Sequence, residues 1–210
     1  MVAATSNVIF GRSSSHFTRV TRIFAEELRV PYTLEVVRDL LSTNSSDYGD
    51  NPALKIPVLR TSAATWFGAL NICRELSRQS RHGIRIVWPE DLALPLLANA
   101  QELIVHAMSA EVRLIMHKVA GGDARSTDQR KLVHGLLRTM SWLDDHVEDA
   151  IGNLLPERDL SYLEVTLYCL VEHLEFREVV RTSDYPALRA FASTFARRES
   201  ARRTAYRFDP

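Results

Sequence analysis

The chain has 210 residues, with 26 Lys or Arg against 26 Asp or Glu and a formal net charge of +0. Hydrophobic residues make up 46%, which supplies a sizeable core for one domain or two small ones and excludes a disordered chain. The balanced charge argues against a nucleic-acid partner, and the absence of an apolar run of about eighteen residues argues against a membrane. The opening MVAATSNVIF lacks a basic segment followed by a long apolar one, so no secretory leader is expected. Cys73 and Cys169 lie far apart, outside any metal-ligand spacing, and read as reduced core thiols of a cytoplasmic protein.

Taken in chain order, the first half alternates strand and helix signals. NVIFG, Asn7–Gly11, is an apolar run stopped by glycine and reads as a strand. Val20, Ile23, Phe24 and Leu28 then fall at helical spacing. Pro31 breaks that pattern, and residues 33–37 form a second, β-branched strand. Residues 40–50 are turn-rich with room for a short helix. Residues 56–60 are a third strand opening at a proline, and a turn at 62–64 returns into a short fourth strand near Thr65 and Trp66. A second helix covers 68–78. The β-α-β order predicts a right-handed crossover between parallel strands, with helices on both faces of a small sheet.

The second half carries helical signals almost throughout. One long helix is predicted over 92–119, kinked near Pro95 and ended by Gly121 and Gly122. A second covers 127–149, with Leu132, Leu136, Met140 and Leu143 along one stripe. A third runs 161–176, with Ser161 as N-cap and Glu164 completing a capping box. A fourth runs 185–197, with Pro186 in its first turn. The predicted organisation is an α/β domain over 1–80, a linker over 81–91 and an all-α domain over 92–210.

Three stretches of this order resemble the cytosolic glutathione S-transferases: residues 9–21 (IFGRSSSHFTRVT), residues 51–59 (NPALKIPVL), and residues 159–176 taken with 185–205. The resemblance implies a thioredoxin-like domain followed by a helical bundle. It also implies glutathione as co-substrate, a small-molecule electrophile, a homodimer, a role in detoxification, and no metal. Aligned on Arg19, Ser15 falls where bacterial and theta-like members carry the residue that contacts the thiolate, and Ser14 with Ser15 resembles the start of the zeta-like motif. The bottom-up reading of Ser15 is a helix N-cap, compatible with donating its hydroxyl proton to a thiolate. His16 reads as a solvated loop residue, and Arg19 as a structural residue that could also attract an anion.

Pro57 is implied to be cis, so that Ile56 or Val58 offers backbone groups to the cysteinyl part of glutathione, with Lys55 beside a carboxylate. The family's acidic-or-amide residue and serine, which hold the γ-glutamyl end at a helix start, are matched here by Trp66 and Phe67. That departure removes a hydroxyl, with Thr65 as a partial substitute. An enzyme adding glutathione to a hydrophobic electrophile is one reading; a glutathione-dependent isomerase and a non-catalytic binding or interaction module are the alternatives. Ala100, Leu103, Ile104, Ala107 and Met108 are candidate electrophile-pocket residues or plain bundle core, and His106 and Arg113 read as solvated. Arg197, Arg198, Arg202, Arg203 and Arg207 read as a solvated or helix-terminal cluster.

Overall fold

A computed structural model describes residues 7–123 and 126–210. The reading of a missing leader rests partly on residues 1–6, which lie outside the described residues. Among the described residues, the strands form a four-stranded sheet and a two-stranded one. The chain divides into two compact units. One takes in the chain up to Ile84 together with Arg197–Pro210, and the other is Arg85–Ala196.

In the first unit, β1 (Asn7–Gly11) pairs in parallel with β2 (Tyr32–Val36) and antiparallel, on its other edge, with β3 (Val58–Arg60). β4 (Thr65–Phe67) pairs antiparallel with β3, giving the order β2-β1-β3-β4. The helices α1 (His16–Glu27) and α2 (Ala69–Gln79) pack against each other. They therefore share a face, which corrects the expectation of a helix on each side. The opposite face is closed by the irregular stretch after β2. There Tyr48, from a 3-10 turn over Ser45–Tyr48, packs with Phe10, Val37 and Val58. Strand alternation explains the division: Phe10 and Val58 point to this cluster, and their neighbours Ile9 and Leu59 point to the other face. Burial, then Asp39 and Asp47, hold the Tyr48 phenol above the usual tyrosine range.

Residues 197–210 correct the predicted boundary, which gave them to the helical part. The helix α7 (Glu199–Arg203) packs on α1 through polar ties rather than an apolar stripe. Arg198 grips Glu27 with both arms, at 2.7 and 3.0 Å, and the Ser200 hydroxyl donates to the same carboxylate. Arg19, 2% exposed, donates from Nη2 to the Ala201 carbonyl at 3.1 Å and lies 4.2 Å from the Tyr206 ring centroid. Arg198 is thus a clasp, not a solvated residue, and Arg19 is committed to structure.

The second unit is built on α3 (Pro95–Val119), α4 (Thr127–Gly152), α5 (Tyr162–Phe176) and α6 (Pro186–Phe195). Pro95 opens α3 at its first position instead of kinking it, since a missing N–H costs nothing there. The glycine stop is as read: Gly122 N–H reaches the His117 carbonyl at 2.9 Å and Gly121 N–H the Lys118 carbonyl at 3.1 Å, with Gly121 at φ 73°. α5 is buried around most of its circumference and forms the centre of the unit. Ser161 caps it by accepting from Glu164 N–H at 3.0 Å. The capping box is not closed, because the Glu164 carboxylate takes the Ser161 hydroxyl and both arms of Arg158. The predicted linker holds β5 (Ile86–Val87), which pairs in parallel with β6 (Leu160–Ser161). Cys73 and Cys169 are buried and form no disulfide. No helix among the described residues is long and apolar enough to cross a membrane.

Candidate functional site

Strand directions bring four segments of the first unit to one end of the sheet. β1 and β2 are parallel and β3 runs against β1, so the residues after Gly11, after Val36, before Val58 and after Phe67 all leave by that end. A sheet end where strands hand over to loops and helix starts presents unpaired amides, and it is the usual place for a ligand.

The segment after β1 makes the tightest turn. A Cβ on Gly11 would meet the Thr18 side chain at 2.5 Å, so only glycine lets α1 start this close to the strand. Arg12–Ser15 is a turn closed by Ser15 N–H on the Arg12 carbonyl at 3.1 Å. Ser15, half-buried in extended backbone, is the N-cap of α1: its Oγ accepts from Thr18 N–H at 3.3 Å. This uses a lone pair and leaves the hydroxyl proton available to an acceptor. The first turn of α1 carries no acidic side chain of its own to offset the partial positive charge there. Ser14 is 7% exposed, and Ser13 is fully buried with an unpartnered hydroxyl. His16 is not solvated: it is the first helical residue, 1% exposed, with its ring edge-on to Phe17.

The Ile56–Pro57 bond is cis. Val58 stands inside the ladder, registered with Phe10 on one side and Phe67 on the other, so its backbone belongs to the sheet. Ile56 precedes the ladder, and neither its N–H nor its C=O has a partner among the described residues. Between the two backbone candidates the structure therefore leaves Ile56 as the open one. The Lys55 carbonyl accepts from Asn51 Nδ2 at 2.7 Å, which fixes this loop, while the Lys55 side chain is exposed.

Trp66 and Phe67 do not stand at the helix start. They are the end of β4, opposite Leu59 and Val58. Trp66 is half-buried under Arg78, whose guanidinium carbon lies 5.5 Å from the ring centroid, and Phe67 is 37% exposed. Thr65 pairs with Arg60 at the far end of the strand and cannot replace a hydroxyl at the helix. The helix start is Gly68–Ala69. Gly68 N–H is taken by the Pro57 carbonyl at 3.4 Å, and the first intrahelical bond is Ile72 N–H to Gly68 C=O. The amides of Ala69, Leu70 and Asn71 remain without partners among the described residues. Gly68 has φ 82°, and no atom of the described residues lies within 4 Å of where its Cβ would stand. The signal for this placement was in the sequence: counting back one helical repeat from Ile72, Cys73 and Leu76 puts the helix start at Ala69.

In the second unit, Ala100, Ile104, Ala107 and Met108 are at most 2% exposed and behave as core. His106 pairs with Glu102 at 3.1 Å, and Arg113 with Asp128 at 3.0 Å, both on solvated faces. Sequence reasoning passed over a buried pair there: His173 Nδ1 donates to Glu111 Oε1 at 2.7 Å.

Residues 14–79 match the family model described as glutathione S-transferase, N-terminal domain. No curated protein matches the chain. Several solved structures do. A glutathione S-transferase from Methylobacillus flagellatus, solved with GSH bound, is 18% identical with a TM-score of 0.72, over 96% of this chain and 100% of that one. One from Methylobacterium radiotolerans, in complex with glutathione sulfonate, is 16% identical with a TM-score of 0.73, over 98% of each chain. A glutathione transferase family member from Pseudomonas fluorescens, with bound S-(propanoic acid)-glutathione, is 17% identical with a TM-score of 0.72, over 96% of this chain and 100% of that one. At these identities the likeness is one of fold. The chain has the glutathione transferase fold, a thioredoxin-like α/β domain with an all-helical one.

Proposed function

We propose that this chain is a glutathione transferase of the bacterial, theta-like or zeta-like serine type, acting in the cytoplasm in detoxification. It adds glutathione to a hydrophobic electrophile by stabilising the thiolate. The observation that carries this reading is Ile56: a free N–H and a free C=O beside a cis proline, at the sheet end that also holds the Ser15 cap. An extended peptide can add there as a short strand, its cysteinyl N–H and C=O meeting those of Ile56. Its thiolate then lies toward Ser15, which donates its hydroxyl proton, with Ser14 the substitute. The γ-glutamyl carboxylate meets the open amides of Ala69, Leu70 and Asn71. Lys55 faces the remaining carboxylate. The thiolate sulfur attacks the electrophile, the new carbon–sulfur bond forms as the leaving group departs, and the enzyme holds the ionised nucleophile.

The second reading, a non-catalytic binding or protein-interaction module of this fold, is favoured by Ala69, which brings no hydroxyl to the helix start. Titration calorimetry with glutathione tests the first point directly: binding at millimolar ligand or below is expected, and its absence overturns the proposal. In the same experiment Ala69→Ser is expected to tighten binding about tenfold, since a hydrogen bond to a charged group contributes roughly 1.5–3 kcal/mol. An unchanged affinity would place the γ-glutamyl end elsewhere.

The chain is also proposed to form a homodimer. Support comes from large apolar side chains left exposed on each unit, Phe67 on the first and Val112, Val119, Val133 and Leu137 on the second. Sedimentation is expected to give a dimer at micromolar concentration, and a monomer would refute it.

A further inference from the structure

The C-terminal segment has a firmly tied part and a lightly tied part. Up to Tyr206 it is fixed to α1 by the Arg198–Glu27 clasp and by Arg19, which holds both the Ala201 carbonyl and the Tyr206 ring. Beyond Tyr206 the side chains turn outward: Arg207 and Pro210 are exposed, and Phe208 is 64% exposed. Its polar ties include Arg38 Nη1 on the Pro210 carbonyl at 2.6 Å and Ser13 N–H on Asp209 Oδ2 at 2.8 Å. A segment without buried apolar side chains, hinged on a fixed base, opens at small cost compared with unfolding the domain.

The second tie falls on the candidate site. Ser13 lies inside the Arg12–Ser15 turn, two residues before the cap that is proposed to face the thiolate. Backbone amides of such a turn receive anions, and here the anion is the chain's own carboxylate. A thiolate at Ser15 and a carboxylate on Ser13 N–H would be like charges within one turn, each opposing the other's ionised form. The two occupants therefore compete, each weakening the other's hold on the turn.

We propose that Arg207–Pro210 is a displaceable strap: its Asp209 carboxylate holds the turn of the empty site, and glutathione drives it off on binding. This rests on the glutathione reading above. The test is hydrogen–deuterium exchange of residues 205–210 together with glutathione calorimetry, on the full chain and on Asp209→Asn, which keeps the shape and removes the charge. Glutathione is expected to speed exchange of 205–210 in the unmodified protein. Asp209→Asn is expected to show fast exchange without ligand and to bind glutathione about tenfold more tightly, the fold-change expected from removing one charge-assisted competitor. Slower exchange of 205–210 on binding, or weaker binding by Asp209→Asn, would overturn the strap and make the segment part of the ligand's own site. If neither protein binds glutathione, the functional reading falls by itself. The strap is then decided by ligand-free exchange: a rise of about fivefold or more at 205–210 in Asp209→Asn, with 16–27 unchanged, supports it, and no rise overturns it.

Discussion

Ser15→Ala is expected to lower the rate of glutathione addition to an aryl halide at neutral pH by about tenfold to a hundredfold, while glutathione affinity changes far less. The physical ground is the difference between the two tasks of one hydroxyl. Its oxygen accepts from Thr18 N–H and caps α1, and its proton is free for the thiolate. A cysteinyl thiol ionises near pH ~8.5, so at neutral pH most of it is protonated. A hydrogen bond made only to the ionised form lowers that value, and about one unit corresponds to ~1.4 kcal/mol. Removing the donor raises the bound thiol's pKa again, which the thiolate's ultraviolet absorbance reads during a pH titration. The alanine variant also loses its cap, costing about 1 kcal/mol of stability, and this must be separated from the chemistry. Ser15→Asp separates them. A carboxylate caps a helix as well as a hydroxyl does, but it offers the thiolate no proton and repels it. Stability near that of the unmodified protein with activity at or below that of Ser15→Ala is the expected pattern. Activity that follows stability across both variants would reduce Ser15 to a cap.

The parts of this site legible in the sequence were those fixed by local chemistry. A serine before a helix, a glycine stopping a strand and a proline opening one each act within a few residues, and Ser15, Gly11 and Pro57 stand in those places. The helix read over 68–78 starts within one residue of α2; the error lies in matching the family's helix-start pair to the aromatic pair before it. Trp66 and Phe67 obey strand alternation, and the repeat begins only at Ala69. The choice between Ile56 and Val58 needed the register of β3 against two neighbours, which no local pattern carries. β5 and β6 are two residues each, too short for any periodicity to register. The clasp of Arg198 on Glu27 and the seat of Asp209 on Ser13 join residues 171 and 196 positions apart through hydrogen bonds to a carboxylate. A row of arginines near a chain end looks the same on paper whether it is solvated or engaged.

The buried Glu111–His173 pair supplies the other large effect, in stability rather than in rate. Glu111→Ala is expected to destabilise the protein by about 3–5 kcal/mol, measured by urea unfolding with a probe on the helical unit. Glu111 lies on α3 and is fully buried; His173 lies on α5, the centre of the unit, and is 3% exposed. Truncation removes the acceptor that His173 Nδ1 has at 2.7 Å inside a buried site and opens a cavity beside the ring. The same reasoning sets the order of the other variants. Glu111→Gln keeps an oxygen acceptor and the volume, and should lose on the order of 1 kcal/mol. Glu111→Leu with His173→Phe removes donor and acceptor together and fills the space, and should be less destabilised than Glu111→Ala, since a buried polar pair and a packed apolar pair of like volume differ little in stability. If Glu111→Ala instead costs under about 1 kcal/mol, then burial and the short bond together contribute little to the helical unit, and its stability rests on the apolar faces of α3 and α5.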